Sequence, residues 1–139
     1  MKIAIINGPN LNLIGRREPE IYGKETFEDF LQDLINNYPQ VGFSYFQSNV
    51  EGELINEIQK LGFDYDGIIL NPGGYTHTSV ALGDAIAGIT TKVIEVHISN
   101  IFGREDFRKI SHVSGKSVGV ISGLGLKGYE LALGWFLKG

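Results

Sequence analysis

Residues 68–89 read IILNPGGYTHTSVALGDAIAGI, so an apolar run, a glycine turn and an amphipathic stretch follow one another directly. The apolar run Ile68–Leu70 predicts a strand that is covered on both faces, as in a parallel sheet. The residues after the turn place apolar side chains on one helix face: Leu82, Ala85, Ile86 and Ile89. Thr78 or Ser79 is expected to cap this helix, because a side-chain oxygen there can accept from the first free N–H groups. The stretch therefore predicts one strand–turn–helix unit.

The same unit recurs along the chain. Three further apolar runs predict strands buried on both faces: Ile3–Ile6, Val93–Val96 and Val118–Ile121. Phe43–Phe46 is patchier and predicts an edge strand. Apolar stripes at helical spacing complete the pattern: Phe27, Phe30, Leu31, Leu34 and Ile35; Leu54, Ile55, Ile58 and Leu61; Leu126, Tyr129, Leu133, Phe136 and Leu137. We predict a doubly wound α/β fold with five parallel strands, a flavodoxin-like three-layer sandwich of strand order 2-1-3-4-5.

The composition is that of a globular protein. With 139 residues the chain predicts a single domain over 1–139, and its 42% hydrophobic and 20% charged content excludes a disordered chain. The absence of cysteine excludes a disulfide framework, a zinc ribbon and a thiol nucleophile. A net charge of −4 argues against nucleic-acid binding, and no apolar run reaches the length of a signal-peptide core or a membrane span. We therefore expect a cytoplasmic protein without membrane or nucleic-acid partners.

Polar residues follow every predicted strand. They are Asn7–Asn10, Gln47–Asn49, Asn71–Gly74, His97–Asn100 and Ser122–Gly123. Ligands of open parallel sheets bind beyond the carboxyl ends of the strands. Amides, hydroxyls and a histidine at that edge predict a site for a small ligand rich in hydroxyl groups.

Residues 8–24 contain no pattern typical of a helix or a strand. Loops longer than about 12–15 residues are uncommon unless they are lids, binding loops or disordered segments. Two interpretations are open: a mobile surface loop with solvated charges, or an active-site lid that carries Arg17 and Tyr22 over the strand ends. In the lid, an arginine in contact would favour the phenolate of Tyr22 and make it a usable base.

Glu95 lies inside a predicted buried strand. Because side chains two residues apart on a strand share a face, Glu95 and His97 are expected to project together. A buried carboxylate without a partner is costly, and His97 is within its reach. A carboxylate on one ring nitrogen fixes the tautomer and makes the other nitrogen a candidate proton donor. The alternative is a structural ion pair remote from any ligand.

Other polar residues are weaker candidates. Asn71 and His77 could hydrogen-bond a ligand at the start of a helix, or serve only the turn and the cap. Arg104 and Arg108 would share a face if their segment is helical, where Arg108 could bind a carboxylate or a hydroxyl; an exposed pair facing solvent is the alternative. His112 is expected to have no role.

Three nucleotide or phosphate functions are disfavoured by the same residues. Gly123–Gly128 matches the dinucleotide glycine pattern, but no second strand with an acidic residue about 20 positions on follows it. These glycines are expected to allow close helix–sheet packing. A phosphoacceptor domain needs carboxylates where Asn7 and Asn71 stand. A flavin or nucleotide carrier needs a backbone donor where the chain has Pro9.

Together these segments resemble the type II 3-dehydroquinate dehydratases almost from end to end. The matching segments are Ile6–Asn12, Gly15–Pro19, Tyr22–Gly23, Gln47–Asn49, Asn71–Ser79 and Glu95–Asn100, with Arg104 and Arg108. The resemblance implies a hydro-lyase of the shikimate pathway that removes water from 3-dehydroquinate by anti elimination and gives 3-dehydroshikimate, the third step towards chorismate and the aromatic amino acids. A non-catalytic module that binds small acids is the alternative, and the joint presence of Tyr22, Arg17 and His97 argues against it.

The resemblance also implies residue roles. Tyr22 would be the base, Arg17 would stabilise its phenolate, and Asn10 would hold a water at an enolate intermediate. His97, positioned by Glu95, would protonate the departing hydroxyl. Substrate contacts are implied for Asn71, His77 and Arg108 on the ring hydroxyls, and for the backbone N–H groups of Ile98 and Ser99 on the carboxylate. No metal, nucleotide or imine-forming lysine is implied.

The family assembles as trimers gathered into dodecamers. By resemblance, Asp84 would reach a neighbouring subunit's site in such a homo-oligomer. The alternative for Asp84 is a solvated charge on a helix that also carries an apolar stripe.

Overall fold

The structure, a computed structural model, describes residues 1–16, 20 and 24–138. Five strands form one parallel sheet: β1 (Lys2–Asn7), β2 (Gly42–Gln47), β3 (Gly67–Asn71), β4 (Val93–His97) and β5 (Gly119–Ser122). Their order is β2-β1-β3-β4-β5, which confirms the predicted doubly wound fold and the edge position of β2.

Within the described ranges, four α-helices cover the sheet: α1 (Phe27–Asn37), α2 (Glu51–Leu61), α3 (Val80–Ala87) and α4 (Lys127–Lys138). Short 3-10 turns lie in the connections: Leu11–Leu13, Gly73–His77, Ile101–Gly103, Asp106–Lys109 and Ser114–Lys116. Of the two expected caps of α3, Ser79 is the one used, since its hydroxyl accepts from the N–H of Leu82 at 2.9 Å. No helix in the described ranges has both the length and the apolar content that crossing a bilayer requires.

Alternation along the strands divides the core into two layers. Ile3, Ile5, Ile69, Ile94 and Val96 pack with α1 and α4 on one face. Their neighbours Ala4, Ile6, Ile68, Leu70 and Val93 pack with α2 and α3 on the other. Glu95 and His97 lie two and four residues after Val93 on β4, so their side chains point to the same, second face of the sheet. The turn after β3 lies on this face as well.

The prediction that Val118–Ile121 is buried on both faces is wrong. Val118 is 49% exposed and Val120 is 41% exposed, and β5 begins only at Gly119. The reason is position: β5 pairs with β4 alone, at the edge opposite β2. An apolar run does not reveal whether a strand is central or at an edge.

Glycines bring two loops together at the carboxyl ends of β1 and β3. A side chain at Gly8 would clash with the carbonyl of Pro72, and the N–H of Gly8 donates to the carbonyl of Asn71 at 2.7 Å. Gly73 has φ +61°, a left-handed conformation that favours glycine, and a Cβ there would lie 3.0 Å from the carbonyl oxygen of Pro9. The two loops thus form a continuous polar floor.

Candidate active site

A cavity of about 160 Å³ opens at the carboxyl ends of β1, β3 and β4. Eight of the residues singled out in the sequence line it: Asn10, Asn71, His77, His97, Ile98, Ser99, Arg104 and Arg108. The site therefore lies where parallel sheets bind their ligands.

Two other candidates that the structure describes, Glu95 and Asp84, do not line the cavity. Glu95 is fully buried behind His97. Asp84 is exposed on α3 and does not line the cavity. Arg17 and Tyr22, the residues of the lid interpretation, lie outside the described residues.

Glu95 and His97 form a buried hydrogen-bonded pair, in which His97 lines the cavity and Glu95 lies behind it. Nε2 of His97 contacts Oε2 of Glu95, as expected from their shared strand face. Thr76 donates its hydroxyl to Oε2 at 3.1 Å. Ser114 donates to Oε1 at 2.6 Å, and Ser111 lies 3.3 and 3.2 Å from the two oxygens. Every side of this carboxylate thus meets a donor.

The donors decide the charge of Glu95. Burial alone would raise the pKa of Glu95, but the hydrogen bond and charge of His97, with the hydroxyls of Ser114 and Thr76, lower it below its ordinary value of 4.5. The carboxylate is therefore ionised at neutral pH and accepts the hydrogen bond from the ring N–H at Nε2 of His97. Nδ1 of His97 has no hydrogen-bond partner among the described residues, so this nitrogen is available to a ligand.

His77 stands parallel to His97, with ring centroids 6.4 Å apart. Its Nδ1 donates to the backbone carbonyl of Ile110 at 2.7 Å. Burial lowers the pKa of His77, and the bond to Ile110 only partly offsets this effect. His77 is therefore neutral at pH 7, with Nε2 as an acceptor that can receive a ligand hydroxyl.

A second buried network, free of charge, lies under the opposite side of the cavity. Tyr129, on α4, donates its hydroxyl to Oδ1 of Asn7 at 2.7 Å and accepts from Nδ2 of Asn71 at 2.9 Å. Oδ1 of Asn71 accepts from the N–H of Gly73 at 3.1 Å. One N–H of the Asn71 amide is left for a ligand.

Asn10 has φ +71°, the only positive φ of a non-glycine residue in the described ranges. Its backbone N–H donates to Oδ1 of Asn49 at 3.0 Å. Gln47 donates to the same oxygen at 3.2 Å and to the carbonyl of Gly8 at 3.1 Å. Such strained backbone persists where its surroundings determine it, and it is concentrated at functional sites.

The two arginines do not share a helix. Arg104 has extended backbone between two separate 3-10 turns, and Arg108 lies in the second turn. Nη1 of Arg104 donates to the hydroxyl of Ser99 at 3.1 Å, and Nε of Arg108 donates to Glu105 at 3.1 Å. Both guanidinium groups nevertheless line the cavity and make it attractive to an anion.

Sequence reasoning missed the groups that support the candidates. The sequence does not identify Thr76, Ser111 and Ser114 as partners of Glu95, and its pattern assigns Tyr129 only to an apolar stripe. A buried carboxylate predicts that donors exist but not which side chains supply them. No three metal-ligating side chains cluster anywhere in the described ranges.

Known proteins resemble this chain over nearly its whole length. Residues 1–137 match the family described as Dehydroquinase class II. The 3-dehydroquinate dehydratase of Fusobacterium nucleatum subsp. nucleatum is 51% identical over 144 residues, which cover 99% of this chain and 97% of that protein. The 3-dehydroquinate dehydratase of Polynucleobacter asymbioticus is 57% identical over 134 residues, which cover 94% of this chain and 90% of that protein. The crystal structure of type II dehydroquinase from Butyrivibrio crossotus DSM 2876 has a TM-score of 0.92 and 48% identity, covering 99% of this chain and 97% of that one.

Proposed function

Because this chain belongs to the class II dehydroquinase family, we propose that it is a hydro-lyase that converts 3-dehydroquinate to 3-dehydroshikimate. The substrate is supported by the similarity to 3-dehydroquinate dehydratases that are 51% and 57% identical to this chain over nearly its full length. The observation that carries the chemistry is the Glu95–His97 pair, which presents a ring nitrogen to a cavity lined by two arginines. A general acid beside an anion-binding surface suits the loss of water from a hydroxylated carboxylate.

The first step is removal of a proton from the carbon beside the ketone. Tyr22 takes that proton, and Arg17 stabilises its phenolate. The C–H bond breaks, its electrons move towards the ketone oxygen, and an enolate forms. Asn10 holds a water against that oxygen. This last assignment is supported by the position of Asn10 at the cavity and by the hydrogen bond that fixes its left-handed backbone.

The second step is departure of the hydroxyl on the far side of the new enolate. His97 delivers a proton to that oxygen, the C–O bond breaks, and water leaves as the conjugated double bond forms. Glu95 keeps the imidazolium charged and aligned before the transfer. The proposal is supported by the contact of Nε2 with Glu95, which leaves Nδ1 towards the substrate.

Substrate recognition divides between hydroxyl and carboxylate contacts. Asn71, His77 and Arg108 bind the ring hydroxyls, and the backbone N–H groups of Ile98 and Ser99 bind the carboxylate. All five residues line the same cavity, which supports the assignment. Arg104, bonded to the hydroxyl of Ser99, adds positive charge next to the carboxylate position.

We further propose that the chain acts as one catalytic domain in a homo-oligomer, a dodecamer built from trimers. The exposed position of Asp84 on α3 is compatible with a contact to a neighbouring subunit's site. This assembly and the place in the shikimate pathway stay predictions from the resemblance, and the cytoplasmic location stays a prediction from the sequence.

The test is direct. Purified protein is mixed with 3-dehydroquinate, without added metal or nucleotide, and the enone absorbance of 3-dehydroshikimate is followed. The signal should survive EDTA and borohydride, because neither a metal nor an imine takes part. Tyr22→Phe should still bind substrate and lose nearly all turnover. Absence of product from folded protein over a range of pH would overturn the proposal in favour of a binding module.

A further inference from the structure

The carboxylate of Glu95 is surrounded by more donors than its pairing with His97 requires. Thr76 approaches from the 3-10 turn after β3, while Ser111 and Ser114 approach from the connection between β4 and β5. These three hydroxyls, which we call the hydroxyl cluster, belong to segments far apart in the chain. None of them lines the cavity, so they do not touch a bound substrate.

The hydroxyl cluster is held rigidly. The hydroxyl of Ser111 accepts from the N–H groups of Val113 and Ser114, both at 3.1 Å, which fixes the short turn. The N–H of His112 donates to the carbonyl of Thr76 at 2.8 Å and ties this turn to the one after β3. The hydroxyls are therefore in position before any ligand binds.

Geometry also restricts what each hydroxyl can do. The ionised carboxylate only accepts hydrogen bonds, so a hydroxyl that bonds to it must donate. Ser114 donates to Oε1, Thr76 donates to Oε2, and Ser111 lies near both oxygens. Hydrogen bonds donated to the charged form favour it, so the hydroxyl cluster favours the ionised carboxylate over the protonated one.

We propose that Ser114, with Ser111 and Thr76, is a positioning residue of the proton donor: the hydroxyl cluster keeps Glu95 an aligned anion so that His97 stays charged until it protonates the leaving hydroxyl. The inference rests on the proposed function. If it is correct, three residues that do not contact the substrate affect the rate of the second step.

The variant that tests this inference most cleanly is Ser114→Ala, because Ser111 also caps its own turn. Loss of a hydrogen bond to a buried charge predicts that kcat falls about 10-fold or more. KM should stay within about 2-fold, because the hydroxyl cluster makes no substrate contact. Ser117→Ala is the matched control: its hydroxyl lies in the same connection but donates to the carbonyl of Val113 at 3.0 Å, and kcat should not change.

A double-mutant cycle separates positioning from structure. If Ser114 acts through the carboxylate, Ser114→Ala lowers kcat in the native chain and has no further effect in the Glu95→Gln background. Equal loss in both backgrounds, or a loss no larger than that of Ser117→Ala, would overturn the inference. Thr76→Val, which keeps the shape and removes the hydroxyl, repeats the test if Ser114→Ala does not fold.

A readout independent of turnover distinguishes failure of this inference from failure of the proposed function. The chain has three histidines, so the ring signals of His97 can be assigned by ¹⁵N NMR with His77→Gln and His112→Gln variants. Ser114→Ala should move the Nε2–H resonance of His97, and Ser117→Ala should leave it in place. An unmoved resonance contradicts the inference, whereas a moved resonance in a protein that does not dehydrate 3-dehydroquinate contradicts only the proposed function.

Discussion

Two buried polar networks support the same cavity, and they differ in charge. One is the Glu95 carboxylate with His97 and the hydroxyl cluster on the α2–α3 side of the sheet. The other is the neutral chain Asn7–Tyr129–Asn71, which reaches up from α4. Both are formed at the carboxyl ends of strands, and no buried side-chain polar atom in the described ranges lacks a partner.

This difference in charge suits the two networks to different roles at the cavity. A buried charge is stable only with several well-placed donors, and it can hold a neighbouring imidazole in the protonated form. A neutral network of amides and a phenol changes no charge at physiological pH and serves to fix atoms in space. The charged network is therefore suited to proton transfer and the neutral one to orienting the substrate.

The largest expected effect comes from removing the charge alone. Glu95→Gln keeps the size of the side chain, but its amide places N–H groups against donors that need an acceptor. We expect kcat to fall by about 10²–10⁴, the usual contribution of a positioned general acid, while KM changes far less. Steady-state kinetics on the folded variant measure this. A variant that retains most of its kcat would contradict a role of the carboxylate in proton transfer.

A substitution in the neutral network should change KM, whereas a substitution in the charged network should change kcat. Tyr129→Phe keeps the ring that packs edge-on against Phe27 at 5.0 Å but leaves the Asn7 and Asn71 amides without their shared partner. The free energy of unfolding should fall by about 1–3 kcal/mol, and KM should rise several-fold because Asn71 is no longer oriented, with a smaller change in kcat. Denaturant unfolding and initial rates measure both quantities. If kcat fell as far as in Glu95→Gln, the proposed division between the networks would be wrong.

The pH dependence of stability sharpens the same comparison. Despite the opposing effect of burial, His97 and the hydroxyls hold the native pKa of Glu95 below 4.5, so the unfolded chain binds the proton more readily. The stabilisation from Glu95 is complete above that value and is lost as the pH falls through the lower native pKa. The stability gap between the native chain and Glu95→Gln should therefore narrow on acidification.

Chemical denaturation at a series of pH values from about 6 to 3 measures this gap. Other carboxylates are common to both proteins and cancel in the difference. The gap between the native chain and Tyr129→Phe serves as the control and should stay constant, because burial raises the pKa of Tyr129 still further above this range. If the stability difference between the native chain and Glu95→Gln were equally independent of pH, the carboxylate would not be held ionised by its neighbours.

The smallest effect is expected far from both networks. Tyr38 donates its hydroxyl to Glu130 at 2.8 Å, near the surface of α4. Tyr38→Phe should cost less than about 1 kcal/mol of stability, because water can reach and replace a hydrogen bond that is only partly buried. Thermal melts and initial rates check the variant, whose kcat and KM should match the native chain. A clear loss of activity would mean that α4 transmits changes to the cavity beyond Tyr129.

Much of the fold could be predicted because it depends on periodicity. Buried runs such as Ile3–Ile6 and the stripe ending at Leu137 identify their elements without reference to neighbours. The exposure of Val120 could not be predicted, because the edge position of β5 is a property of the whole sheet. Periodicity describes an element, whereas burial depends on what packs against it.

The candidate site, like the fold, could be predicted only in part from the sequence. The pairing of Glu95 with His97 follows from strand alternation, and the shared cavity of Asn71, His77 and Arg108 follows from the strand ends. Ser111 and Ser114 lie in an irregular connection, where sequence spacing carries no directional information. The ring of Tyr129 belongs to the apolar stripe of α4, whereas its hydroxyl belongs to the neutral polar network. The sequence pattern indicates only the first of these roles.

The most direct test of His97 as the acid of the second step separates the two steps in D₂O. The variant His97→Asn keeps the proposed base, so it should still exchange the proton beside the ketone of 3-dehydroquinate. ¹H NMR then shows deuterium entering unreacted substrate while almost no 3-dehydroshikimate appears. Loss of exchange together with dehydration, or turnover close to that of the native chain, would contradict the assignment.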